Sequence, residues 1–359
     1  MGADQCDSLG SAVASMLTGA WRESPPELAM SPGEINAVMP LLLGSGAGAL
    51  AWWRISQRNE PMRVATIEQL RQAYWHSSIH AAKQEREVVE VFKVLRSAGI
   101  EPILIKGWAI ARAYPETGLR HAGDIDLCVS PEQHAKARSV LNRPEYQRYW
   151  IDLEHDEVDK LDERSFQELY RCSELVKLET TEVRVLGAED HLRILCFHLL
   201  KHGAWRPLWL CDVSAALESR PPRFDWNRCL GRNKRRANWV LCALGLAHQL
   251  LGARLGDAPV KSGASSLPGW LIPSVLKQWN APYPPNLPLI GVQIRKHVRE
   301  PIKLLKEIRK RWPNPIQATV DANRAFDGVP RLPFQIGNCI VRTARLLPEL
   351  VRFSQRHDR

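Results

Sequence analysis

The sequence predicts an α+β chain, with a small sheet-bearing part over about residues 66–186 followed by a helical part. Three observations carry this. A long amphipathic pattern over residues 66–98 gives way after Gly99 to apolar runs of strand length, at 102–105 and 124–129. Two short alternating segments, 175–178 and 183–186, form a hairpin pattern. From Ala188 onward a helical period returns.

Residues 1–33 are rich in small residues and carry Ser24-Pro25-Pro26 and Ser31-Pro32-Gly33, which reads as a poorly ordered lead-in. Ser31-Pro32-Gly33-Glu34 is a helix start, with Ser as cap, Pro in the first turn and Glu at the third position. It opens a helical segment over 34–65, through Ile35, Val38, Leu41 and Leu42, that breaks at Gly44-Ser45-Gly46. In the next helix Ile67, Leu70, Tyr74 and Ile79 form one face and Val88, Val91, Phe92 and Leu95 another, with Gly99 as the terminating residue. Ile103-Leu104-Ile105 is the first strand and ends in Lys106-Gly107, and a helix starts from that turn at Trp108. Residues 124–129 form the second strand, Ser130-Pro131-Glu132 opens a helix to Leu141, and 149–153 form the third strand. The hairpin turns at residues 179–182. Residues 187–359 read as an α-helical domain with loops at Arg220-Pro221-Pro222 and in the Pro-rich stretch 281–288.

With 359 residues, 45% hydrophobic and 25% charged, the chain is a folded protein of about two domains, which excludes disordered and collagen-like classes. Its net charge is +10, and residues 291–359 hold 15 Lys and Arg against 6 Asp and Glu, so +9 of the excess lies at the basic C-terminal end. That end suggests an anionic partner or a solvated helix face. The catalytic candidates lie in the near-neutral remainder, so the charge does not favour nucleic acid as the partner. The eight cysteines contain no C-x-x-C pair, which argues against a zinc ribbon. The start Met1-Gly2-Ala3-Asp4-Gln5-Cys6 has no basic signal region, so a cytoplasmic protein with reduced thiols is expected. The longest apolar run, 38–53, is short and Gly-broken, so no membrane span is expected.

The sharpest local feature is Arg120-His121-Ala122-Gly123-Asp124-Ile125-Asp126-Leu127. Side chains alternate along a strand, so Asp124 and Asp126 share one face. Two carboxylates this close repel unless a hard divalent cation such as Mg²⁺ lies between them; the alternative is an acidic strand end facing water. His198 and His202 lie four apart on one helix face, near Cys196 and Asp212 in sequence. Without an evident third ligand, packing is a simpler reading than zinc. Arg232, Lys234, Arg235 and Arg236 precede Trp239, a pattern open to nucleic-acid contact or to a solvated face. For Lys303, Lys306, Arg309, Lys310 and Arg311 a solvated face is the simpler reading.

The order apolar strand, Lys106-Gly107 turn, helix, Asp124-Ile125-Asp126 strand resembles the nucleotidyltransferase superfamily of DNA polymerase β and the antibiotic nucleotidyltransferases. More closely, Ile103-Leu104-Ile105-Lys106-Gly107, Tyr114-Pro115, Arg120 and Asp124-Ile125-Asp126-Leu127 resemble an uncharacterised bacterial branch with the signature L-K-G, Y-P, R, D-I-D-L. The likeness continues through residues 185–192, His198, Lys201-His202, Trp205, Leu208, Leu210 and Asp212, and covers roughly 85–250. It implies a nucleotidyltransferase-type mixed-sheet core followed by an α-helical domain. It also implies Mg²⁺-dependent transfer of a nucleoside monophosphate from an NTP to an acceptor hydroxyl on a small molecule, natural product, peptide or protein. By the same resemblance Asp124 and Asp126 are metal-binding and catalytic, and Asp152, in Asp152-Leu153-Glu154-His155, is the third acid with Glu154 as its rival. Lys106, Gly107, Arg120, Lys201 and His202 become the nucleotide-binding residues. The turn here is Lys106-Gly107-Trp108 where the superfamily has Gly-Gly or Gly-Ser, so Lys106 replaces the usual phosphate-holding turn. The alternative is a nucleotide- or RNA-binding regulator with the same fold and weak turnover.

Overall fold

In a computed structural model of the chain, the residues described are 3–58, 67–120, 123–154, 164–256, 267–281 and 312–341; the side chains of 3–8 and of Glu154 lie outside the description. So do most of the Pro-rich stretch 281–288, the cluster Lys303–Arg311 and His155.

The chain starts with a helix, α1 (Ala3–Leu17), where the composition suggests a poorly ordered lead-in. Val13, Met16 and Leu17 are fully buried, because the small residues of this segment allow close packing: a Cβ on Gly10 would lie 2.4 Å from the Leu276 carbonyl oxygen. Helix α2 (Pro32–Gly44) begins at the expected Ser31–Glu34 capping box, and after the Gly44–Gly46 break α3 (Gly48–Ser56) follows. The long helix α4 (Ile67–Ser97) leads to β1 (Ile103–Leu104), the short α5 (Trp108–Ala111), β2 (Ile125–Cys128), α6 (Pro131–Leu141) and β3 (Ile151–Glu154). Helix α7 (Phe166–Arg171) precedes the expected hairpin, β4 (Glu174–Leu178) and β5 (Thr181–Val185). Helices α8 (Ala188–Lys201), α9 (Pro207–Glu218), α10 (Trp226–Leu230), α11 (Lys234–Leu251), α12 (Leu271–Trp279) and α13 (Pro315–Asp321) follow, and residues 332–341 are also helical. None of the described helices is long and apolar enough to cross a membrane.

The five strands form one mixed sheet in the order β3-β2-β1-β5-β4. Strand β1 is antiparallel to β2 and parallel to β5, and β2 is parallel to β3. Each face of the sheet enters a different core. Leu104, Ile125, Leu127 and Val129 pack with Val88, Val91, Phe92 and Leu95 of α4 and with Val140 and Leu141 of α6. Ile103, Ile105 and Cys128 join the larger core, which runs from Val13 of α1 through α8, α9 and α11 to Phe326. The alternation of strand side chains therefore turns Asp126, two residues before Cys128, toward the helical part.

Leu17 has no solvent exposure, so Leu17→Ala removes a well-packed side chain from the helical core. A loss of about 2–5 kcal/mol in unfolding free energy by urea denaturation is expected; a loss below about 0.5 kcal/mol contradicts a structural role for α1.

Candidate functional site

The turn after β1 is built on Gly107, whose φ of +62° and ψ of −117° are open to glycine and strained for any other residue. It caps α5 and holds Lys106 beside the sheet, where the Lys106 Nζ lies 2.7 Å from Asp126 Oδ1, both side chains nearly buried. Burial raises the Asp126 pKa above the ordinary carboxylate value, as does the charge of Asp124, while Lys106 and Arg120 act the other way.

Asp124 precedes β2 and is exposed; buried Gln84 of α4 fixes its backbone by donating to the Asp124 carbonyl at 2.8 Å. Asp152 is also exposed and stands opposite Asp126 in the parallel β2–β3 register, which puts both on one sheet face. Asp126 and Asp152 thus share one face, with Asp124 just before the strand, but the acids are not clustered: among the described residues no group of three or more His, Cys, Asp or Glu could hold a metal ion.

Arg120 has a different setting from the one expected for a phosphate ligand. It is buried and forms a bidentate pair with Asp212 of α9, its Nη2 2.8 Å from Oδ2 and its Nε 3.2 Å from Oδ1. Tyr114 Oη donates to the same Oδ1 at 2.8 Å. Burial disfavours the guanidinium charge, but the Asp212 carboxylate overrides it and raises the Arg120 pKa. The Tyr114 hydroxyl is pushed well above its usual value by burial and by Asp212. Arg120 neutralises a protein carboxylate and ties the loop before β2 to α9.

Lys201 ends α8 and His202 caps it. The His198 and His202 rings meet at a tilt of 57° with centroids 4.6 Å apart and flank Trp209 at 4.6 and 5.0 Å. Burial, then the charges of Lys201 and Lys106, lowers the His202 pKa to about 4. Burial also pushes His198 well below its usual value, with Lys106, His202, Arg120 and Arg206 adding to it. Both rings are neutral at pH 7, and they lie within electrostatic reach of the Lys106 turn. His191, buried next to Arg112 and Arg120, is lowered to about 3.

Arg206 is the site residue that sequence reasoning missed. It precedes α9, and burial, then the charge of Arg120, lowers its pKa to about 10 against the opposing charges of Asp212 and Asp124. Its only signal in the sequence is its place between Trp205 and Trp209. The basic cluster before Trp239 has structural roles: Arg236 lies 4.3 Å over the Trp239 ring, and Arg235 donates to the Asn323 carbonyl.

A family model described as "uncharacterised nucleotidyltransferase" matches residues 34–252, more than half of the chain. No curated protein and no solved structure matches the chain.

Two outcomes test this geometry. Asp212→Ala leaves Arg120 and Tyr114 buried without their acceptor and should lower unfolding free energy by about 3–5 kcal/mol; a wild-type urea midpoint would contradict the tie. The neutral histidines predict a pH effect with a defined sign. Unfolded imidazoles bind protons below about pH 6.5, but folded His202 only near 4 and His191 near 3. The unfolded state then holds more protons, so stability is highest above pH 6.5 and falls as pH drops toward 4. Urea midpoints across that window should decline, with a shallower slope in His202→Gln; parallel slopes would contradict the assignment.

Proposed function

The chain belongs to the uncharacterised nucleotidyltransferase family, and we propose that its site transfers a nucleoside monophosphate from an NTP to an acceptor hydroxyl with Mg²⁺. The observation that carries this is the placement of Asp126. It is a buried acid on the sheet face turned to the helices, two residues after Asp124, in register with Asp152, and it already has a cation, the Lys106 ammonium, at 2.7 Å.

By donor chemistry the three carboxylates suit a hard cation, but as they stand they do not cluster into a metal site among the described residues. The Lys106 ammonium shows that Asp126 already accepts a cation at Oδ1. Asp124 and Asp126, with Asp152, would hold Mg²⁺, which when bound lowers the pKa of an attacking hydroxyl and offsets phosphate charge. Lys106, released from Asp126, turns to the triphosphate as a point charge. Gly107 has no side chain to keep a phosphate from the turn backbone. Asp152, exposed at the sheet edge, takes the proton from the acceptor hydroxyl. The acceptor oxygen bonds to the α-phosphorus as the α–β phosphoanhydride bond breaks, and pyrophosphate leaves. Lys201 and His202 border this space from the end of α8, and Arg120 acts at a distance by holding Tyr114 and α9 in place through Asp212. The acceptor is a hydroxyl of a small molecule, peptide or protein in a cytoplasmic setting.

A second reading rests on the same ion pair. If Lys106 keeps Asp126 when nucleotide is present, the chain is a nucleotide-binding regulator with weak turnover. Incubation with the four NTPs, Mg²⁺ and host-cell extract, followed by mass spectrometry, separates the two. Transfer predicts a nucleotide mass increment on an acceptor in wild type and at least a hundredfold loss in Asp124→Asn, with an unchanged circular-dichroism spectrum because Asp124 is exposed. Undiminished product in that variant overturns the mechanism.

A further inference from the structure

Arg206 is held in place from three sides. Its Nε donates to the Ser45 carbonyl at 2.6 Å, and its guanidinium carbon stands 5.8 Å from the Trp209 ring centroid. Gly46, with φ +77°, is so close that a Cβ there would lie 2.3 Å from Arg206 Nη2. The α2–α3 turn thus leaves space for this one guanidinium.

Although so fixed, the group is incompletely satisfied. Among the described residues neither terminal Nη nitrogen has a hydrogen-bond acceptor, and no carboxylate lies within ion-pair distance. A partly buried guanidinium that lacks a counter-charge is costly in the free protein. Its planar fork of donors matches the oxygens of a phosphate. The contrast is with Arg120, which Asp212 satisfies at both ends. With a pKa near 10 Arg206 stays charged at neutral pH, and Asp124 is within its electrostatic reach.

The neighbours add a second kind of recognition. Trp205 and Trp209 meet edge to face at 5.5 Å, and His198 and His202 complete a cluster of four partly buried rings. Neither imidazole has a hydrogen-bond partner among the described residues, and both are neutral, so each offers one donor and one acceptor. Indole faces stack on nucleobases whatever the base.

We infer that Arg206 and the ring cluster Trp205, Trp209, His198 and His202 form a nucleotide subsite, in which Arg206 binds phosphate and the rings take the base. This rests on the nucleotidyl-transfer reading only for identifying the anion as a nucleoside triphosphate.

Isothermal titration of the full chain with inorganic tripolyphosphate and with ATP, GTP, CTP and UTP, without divalent cation, tests it. Wild type should bind tripolyphosphate and at least one NTP. Arg206→Gln should weaken tripolyphosphate at least tenfold, with partial recovery in Arg206→Lys. Trp209→Leu should weaken the NTP at least tenfold and tripolyphosphate by a smaller factor, since the ring also helps to hold Arg206. Absence of tripolyphosphate binding to wild type, or wild-type binding by Arg206→Gln, overturns the phosphate half; wild-type NTP binding by Trp209→Leu overturns the base half. Should Arg206→Gln fail to fold, tripolyphosphate must still protect Arg206 of the wild-type chain from phenylglyoxal, as mapped by mass spectrometry; an unprotected Arg206 overturns the proposal. Arg206-dependent anion binding without any transferred nucleotide removes the transfer reading and keeps this subsite. Asp124-dependent transfer with an unchanged nucleotide KM in Arg206→Gln does the reverse.

Discussion

The buried pair of Arg120 and Asp212, closed by the Tyr114 hydroxyl, determines how the two parts of the chain meet. Arg120 comes from the loop that enters β2 and Asp212 from the middle of α9. Each charge is buried, so each needs the other, and the geometry that satisfies both fixes the sheet against the helices. Asp212 is engaged there and forms no ion pair with Arg206, six residues earlier on the same stretch of chain. One carboxylate in the helical part therefore separates a structural arginine from one with donors to spare.

The sheet adds a second constraint. One face is mainly apolar and packs on α4 and α6, and the other carries Ile103, Ile105 and Cys128 into the helical core. Asp126 lies on this second face, where burial raises its pKa and Lys106 offsets part of the charge. Polar groups thus converge where the apolar packing of the second face stops. They come from the β1 turn, the start of β2 and the α8–α9 corner, and backbone or glycine geometry holds Lys106, Asp124 and Arg206. Such a lining suits a small polar ligand with several charges better than an apolar one.

Much of the fold was legible in local chemistry. The Ser31–Glu34 capping box, the break at Gly44, the Lys106-Gly107 turn and the hairpin at residues 174–185 each follow from signals within a few residues. Helix α1 was not, because its small residues read as a lead-in until their close contact with α12 is seen. In the site, Asp124 and Asp126 were legible from strand alternation. Arg120 carried the same basic signal as a phosphate ligand, and its commitment to a partner 92 residues away left no local trace.

The sequence by itself determined the order of the strands β1 to β5 and of the helices between β1 and β3, the alternating acids at the second strand and the glycine at the turn. These depend on backbone conformation and alternation, which are properties of neighbouring residues. Only the tertiary structure decided which charges are satisfied: Lys106 on Asp126, Arg120 on Asp212 and, among the described residues, Arg206 on a backbone carbonyl. Such pairing depends on burial and on distances across the fold, and residue type does not encode these.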